Sequence, residues 1–168
     1  MSMNDSWYRA SVGDVTQRDA LQGDITTDVC IVGAGFTGLS AALELAEAGV
    51  RVTVLEAEQV GWGCSGRNGG QINPGLGCDH GRVVAELGAD DARKVWQLTL
   101  DGVELLRSRV KRHNIDCDLK AGILLVANKA RHVPELQSWQ HELEALGYDQ
   151  LAFYDRDALQ SLLKADYQ

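Results

Sequence analysis

The feature that most constrains this 168-residue chain is a stretch of about thirty residues beginning at Asp28. Val29-Cys30-Ile31-Val32 is a short apolar run, the composition of a strand buried on both faces. Gly33-Ala34-Gly35-Phe36-Thr37-Gly38 follows without a break. Leu39, Ala42, Leu43 and Ala46 then recur at i, i+3, i+4 and i+7, one face of a helix. Gly49 stands where a helix end favours a left-handed residue. From Val50 to Leu55 the chain turns apolar and alternating again, a second strand that ends at Glu56. Strand, turn, helix and strand in this order make a βαβ unit. Its strands are expected to run parallel, because the intervening helix carries the chain back to the starting edge.

Each part of that stretch has a physical task. A lone GxGxxG carries little weight, but this one leaves a strand, opens a helix and precedes a strand ending in an acid. Gly33 permits a tight turn, Gly35 lets the backbone approach a diphosphate with no Cβ in the way, and Gly38 lets helix and strand pack closely. The helix N-terminus, at Phe36 and Thr37, offers unpaired N–H groups and partial positive charge to an anion. Glu56 lies eighteen residues beyond Gly38, near the spacing of a carboxylate that accepts from ribose hydroxyls. A dinucleotide site follows. An acid at Glu56 would repel a 2′-phosphate, which disfavours NADP and leaves NAD and FAD open.

The segment after the second strand bears on that choice. Gly61-Trp62-Gly63-Cys64-Ser65-Gly66-Arg67-Asn68-Gly69-Gly70-Gln71 is too rich in glycine for the crossover helix of a nicotinamide domain. It reads as a second backbone cradle. Arg67 can supply charge, Ser65 and Asn68 hydrogen bonds, and the glycines close approach to a large planar ligand. A plain surface loop is the simpler alternative.

Taken together, Val29 to Gly38, Val54-Leu55-Glu56-Ala57 and Gly63 to Gln71 resemble the FAD-dependent amine and D-amino-acid oxidase (DAO) family. The resemblance is tightest over residues 25–80 and looser to the end. It implies an FAD whose diphosphate lies on Gly33, Gly35, Phe36, Thr37 and Gly38, and whose ribose meets Glu56. It places Ser65, Arg67, Asn68, Gly69, Gly70 and Gln71 beside the diphosphate, ribityl chain and ring system. Some relatives carry a flavin-bonded histidine near the position of Asn68. Asparagine cannot form that bond, so non-covalent FAD is expected. The implied reaction is oxidation of a C–N bond in an amino acid or polyamine derivative, by hydride transfer to flavin. Catalytic residues are not assigned. Family members are considerably longer, with interleaved FAD and substrate domains, so this chain is expected to be truncated and to lack the residues that orient the amine. Its exposed sheet edges would then associate with another chain. An NAD-dependent dehydrogenase domain and a non-catalytic nucleotide-binding fragment are the competing readings.

The expected fold class is α/β: a Rossmann-like FAD-binding βαβ unit with the start of an α+β substrate domain. Residues 1–27 read as an N-terminal arm without regular structure, 28–115 as the FAD-binding portion with a long helix, and 116–168 as the start of the substrate portion. The helical pattern of that portion runs from about Arg82 to His113, through Trp96, Leu100, Val103, Leu106 and Val110, with Asn114 as its stop. Arg107, Arg109, Lys111 and Arg112 at its end read as a solvated face. Leu119–Ala127 and Leu151–Tyr154 read as strands. Pro134 opens a helix carrying Leu136, Trp139, Leu143 and Leu146, which Gly147 closes, and Asp155 caps a last helix through Leu163.

Composition narrows the partners. Sixteen basic residues against twenty-four acidic give a net charge of −8, which disfavours nucleic acid and anionic membranes. No run approaches the ~20 apolar residues of a spanning helix. The N-terminal residues lack a basic segment followed by an apolar one, so a cytoplasmic location is the expectation. Cys30, Cys64, Cys78 and Cys117 form no CxxC, and Cys78-x-His80 has no second pair, so no metal is expected. Cys30 reads as a buried thiol within its strand.

Overall fold

A computed structural model describes residues 7–12 and 16–163, in two units divided after Gln71. The rest of the arm (residues 1–6 and 13–15) and the terminal 164–168 lie outside the described residues.

In the first unit, the arm expected to lack regular structure contains a short helix, α1 (Trp7–Ser11). The Ser11 hydroxyl donates to the Tyr8 carbonyl at 3.1 Å and steadies its last turn. Strand β1 (Val29–Val32), helix α2 (Phe36–Glu47) and strand β2 (Val52–Leu55) form the βαβ unit. The strands pair in parallel, Val29 opposite Val52 and Val32 opposite Leu55. At their entry, Asp28 accepts from Arg51 Nη2 at 2.8 Å and Nε at 3.0 Å, a bidentate pair that joins the two strand starts. Alanine, leucine and glutamate fill α2 and favour helix. Its end closes as expected: Gly49 takes φ +81° and donates to Ala46, and Val50 donates to Leu45.

Burial in this unit departs from the pattern. The half-buried side of α2 carries Gly38, Leu39, Ala42 and Leu45, whereas Leu43 and Ala46 are exposed. The strand expected to be covered on both faces is covered on one. Val29 and Ile31 are half-buried, but Cys30 is exposed and Val32 is 86% exposed. The physical reason is the number of layers. Double-sided burial needs a second layer, and α2 is the only element that contacts both strands closely among the described residues.

The second unit is mainly helical. Helix α3 (His80–Leu87) is capped by Asp79, whose carboxylate accepts from the Gly81 N–H. Helix α4 (Ala89–Arg112) follows. The single helix expected from Arg82 is therefore broken, because Gly88 takes φ +79° between the two segments. Asn114, at φ +49°, turns the chain out of α4 as anticipated. Val83 of α3 is buried with Ala92 and Trp96 of α4, while Leu106 near the far end stays 38% exposed. Arg107 pairs with Glu104 along the helix at 3.7 Å. Helix α5 (Val133–Ala145) has Pro134 in its first turn, and Gly147 at φ +83° ends it. Helix α6 (Arg156–Leu162) has Asp155 as its cap, accepting from Ala158 N–H at 2.9 Å, and buries Leu159.

Two expected strands are absent. Leu119–Ala127 and Leu151–Tyr154 have no regular structure, since β1 and β2 form the only sheet among the described residues. Apolar runs become strands only where a neighbouring strand accepts their hydrogen bonds. Ile123, Leu124 and Leu125 remain exposed while Ala127 is buried.

Candidate cofactor site

The candidate site lies in the first unit, at the mouth of α2. Gly33 leaves β1 with φ +100°, a conformation that glycine reaches without strain, and its N–H donates to the Leu55 carbonyl at 2.7 Å. A Cβ on Gly38 would fall 2.1 Å from the Gly33 carbonyl oxygen and 3.2 Å from Ile31 Cγ2. The third glycine therefore sets how closely helix and strand approach. Gly35 is the N-cap residue, with Phe36 and Thr37 in the exposed first turn.

Glu56 turns toward this loop. Ala34 N–H donates to its Oε2 at 2.7 Å and Glu58 N–H to its Oε1 at 3.1 Å. The Ala34 bond first, then the Glu58 bond, hold the carboxyl below the usual carboxylate range against a smaller desolvation effect. Glu56 is thus ionised at neutral pH. A weaker contact from Ala57 N–H acts in the same direction, and a carboxylate with about four lone-pair sites keeps acceptor capacity beyond these contacts. The partner Ala34, 2% exposed, was not among the residues singled out from sequence. No side-chain signal could have marked it, because the contact is made by its backbone.

The second glycine-rich segment reaches the same place. Gly61 N–H donates to the Ala34 carbonyl at 2.9 Å, and Phe36 N–H, expected to be unpaired at the helix start, donates to the Ser65 hydroxyl at 3.0 Å because that loop folds back onto it. Cys64–Gly66 forms a short 3-10 turn. A Cβ on Gly66 would meet the Gly61 carbonyl oxygen at 2.2 Å, so this segment folds tightly on itself. Asn68 Nδ2 donates to the Ser65 carbonyl at 2.9 Å and its Oδ1 accepts from Gly70 N–H at 2.9 Å. Arg67 places its guanidinium 5.0 Å from the centroid of the Trp62 ring, a cation–π contact that composition did not reveal. Gly69, Gly70 and Gln71 are exposed at the segment's end. The structure thus brings Gly33, Gly35, Phe36, Glu56 and Ser65 together, while Asn68 bonds within its own segment and Arg67 lies against Trp62.

Elsewhere, no group of three or more His, Cys, Asp or Glu side chains gathers among the described residues as a metal site would require. His80 packs edge-on to Trp96 at 6.5 Å, and all four cysteines are exposed free thiols, Cys30 included. The described helices include none long and apolar enough to cross a membrane.

Among known proteins the chain falls with oxidoreductases. It is 41% identical over 161 residues to gamma-glutamylputrescine oxidoreductase of Escherichia coli (strain K12), covering 96% of this chain and 38% of that protein. It is 39% identical over 140 residues to the probable oxidoreductase OrdL of Haemophilus influenzae, covering 83% of this chain and 32% of that protein. The OrdL of Rhizobium meliloti is 31% identical over 166 residues, which cover 38% of its length. No solved structure matches. Residues 28–167 match the DAO family, FAD dependent oxidoreductase, and the chain belongs to that family. It spans between about a third and two fifths of the length of these relatives.

Proposed function

We propose that this chain is the cofactor-holding portion of an FAD-dependent oxidoreductase that oxidises a C–N bond of an amino acid or polyamine derivative. The observation that carries the reading is one cluster: the Gly33–Gly38 loop, an ionised Glu56 tied to Ala34 N–H, and the Gly61–Gln71 segment joined to the mouth of α2. Those residues fit FAD. The α2 N-terminus suits a diphosphate, and the Glu56 carboxylate suits ribose hydroxyls while repelling a 2′-phosphate. Gly69, Gly70 and Gln71 offer exposed backbone beyond the 3-10 turn. FAD, when bound, supplies a hydride acceptor.

The finer features belong to the same proposal. The βαβ unit is the start of a Rossmann-like fold, with residues 28–115 serving FAD and 116–168 opening the substrate portion. The cofactor is held without a covalent bond, the substrate is a small amine or amino acid, and the protein works in the cytoplasm. The 41% identity to an enzyme named for gamma-glutamylputrescine supports an amine of that kind. Catalysis is incomplete in this chain alone, and the protein associates with further polypeptide through its sheet edges.

A visible spectrum of the purified chain tests the cofactor. The expected result is a flavin band, present at purification or gained with added FAD, and weakened affinity in Glu56→Gln. A colourless protein that gains no such band yet binds NADH would overturn the reading in favour of a nicotinamide domain. Peroxide formed from gamma-glutamylputrescine, D-amino acids or sarcosine-like amines by the 168-residue chain alone would contradict its incompleteness.

A further inference from the structure

Besides the approach of a diphosphate, Gly35 has a second neighbour to leave room for, and it lies within the protein. The Gly35 backbone, at φ −86° and ψ −174°, is extended and open to any residue, so conformation does not require glycine there. Among the described residues, its chain neighbours aside, an added Cβ would meet only Ser65 within 4 Å, its Oγ at 3.0 Å and its Cβ at 3.9 Å. That same Oγ accepts from Phe36 N–H at 3.0 Å, taking one of the donors that a helix start leaves unpaired. Twenty-nine residues separate the two groups, so the bond joins two loops rather than closing a local turn. The Ala34 carbonyl, accepting from Gly61 N–H, is the second joint between the same loops.

We propose that Ser65 is a positioning residue: it latches the Gly61–Gln71 segment onto the mouth of α2 before any ligand arrives, and its hydroxyl adds to the diphosphate a second reason for glycine at Gly35. The inference deepens the FAD reading and rests on it for its effect on affinity. A hydroxyl accepts through its lone pairs and still owns one proton. Ser65 can therefore keep Phe36 N–H and turn its own O–H toward a bound anion, so the latch need not open for binding. The two glycine-rich segments then form one preassembled cradle, which reduces the ordering cost of binding.

The test uses the 168-residue chain with Ser65→Ala, Ser65→Thr, Gly35→Ala and the double variant Gly35→Ala/Ser65→Ala. Amide hydrogen exchange without ligand reads the latch. Peptides covering Gly33–Ser40 and Gly61–Gln71 exchange faster in Ser65→Ala, and Ser65→Thr, which keeps the hydroxyl, restores protection. FAD titration by flavin fluorescence reads the cradle. Gly35→Ala weakens binding, and the Ser65→Ala background relieves that loss by about tenfold, within the coupling shown by contacting residues. Unchanged exchange in Ser65→Ala overturns the latch. An equal loss from Gly35→Ala in both backgrounds overturns the claim on Gly35 and returns that glycine to the diphosphate. If the chain binds no FAD, the cofactor reading fails, and the exchange arm still decides the latch by itself.

Discussion

Gly38→Ala sets two physical effects of opposite sign against each other. Gly38 lies in the first turn of α2, and replacing glycine with alanine in a helix ordinarily stabilises by about 1 kcal/mol. Here the new Cβ would stand 2.1 Å from the Gly33 carbonyl oxygen, with Ile31 Cγ2 3.2 Å away. Real Cβ atoms essentially never come within 3.0 Å of such a neighbour, so helix and strand must separate by roughly 0.9 Å. The obstructing atom is backbone, which no rotamer change can remove. Overpacking of this kind costs about 3 kcal/mol at the upper end of its usual range. The clash wins, for a net loss of about 2 kcal/mol, which lowers Tm by about 4–8 °C in a chain of this size. Gly102→Ala in α4 is the control. Nothing lies within 4 Å of its added Cβ, so it gains up to about 1 kcal/mol from propensity alone. Urea unfolding followed by circular dichroism measures both. A Gly38→Ala protein as stable as the parent, or more so, would refute the close approach of α2 and β1.

Stability should also follow pH through two carboxylates. Asp28, held down chiefly by Arg51, and Glu56, held down chiefly by Ala34 N–H, are both lowered in the folded chain. Their contribution is therefore complete above the unfolded values of about 4 and is lost as pH falls through the lower folded values. Tm should hold between pH 7 and 5 and drop below about pH 4, with a shallower drop in Asp28→Asn/Glu56→Gln; an unchanged acid limb in that variant would count against both contacts. Asp155→Ala removes the cap of α6 and should cost about 1 kcal/mol locally, read as faster amide exchange over Arg156–Leu162. Trp96, 7% exposed, should cost about 3–5 kcal/mol on truncation to alanine. Its indole Nε1 is buried without a hydrogen-bond partner among the described residues, so Trp96→Phe sacrifices no such bond. Phenylalanine should accordingly be far better tolerated, and equal losses in chemical denaturation would argue that Nε1 is bonded after all.

Local signals were readable where the chain interacts with itself over short distances. The β1–α2–β2 order, the glycine stops at Gly49 and Gly147 and the Asp155 cap each depend on a few neighbouring residues, and each is observed. The break at Gly88 depends on an equally local conformation, but a continuous apolar period concealed it. The failures lie where a second surface is needed. Among the described residues, Leu119–Ala127 has the composition of a strand but no strand beside it, and Cys30 and Val32 have the composition of a buried face but no layer above them.

The same division runs through the candidate site. Residue identity alone determined that Gly33 could turn, that Gly38 could admit close packing and that an acid would follow β2 at the right distance. It also placed the second glycine-rich segment directly after the unit. Only the tertiary structure decided what those residues do to one another: Glu56 is held by Ala34 N–H, Ser65 by Phe36 N–H, and Arg67 lies over Trp62. The reason is physical. Steric freedom and helix periodicity belong to a residue and its near neighbours, so they can be read in order along the chain. The Ala34 and Phe36 hydrogen bonds depend on backbone groups brought together across 22 and 29 residues, and composition carries no trace of which amide a side chain will find.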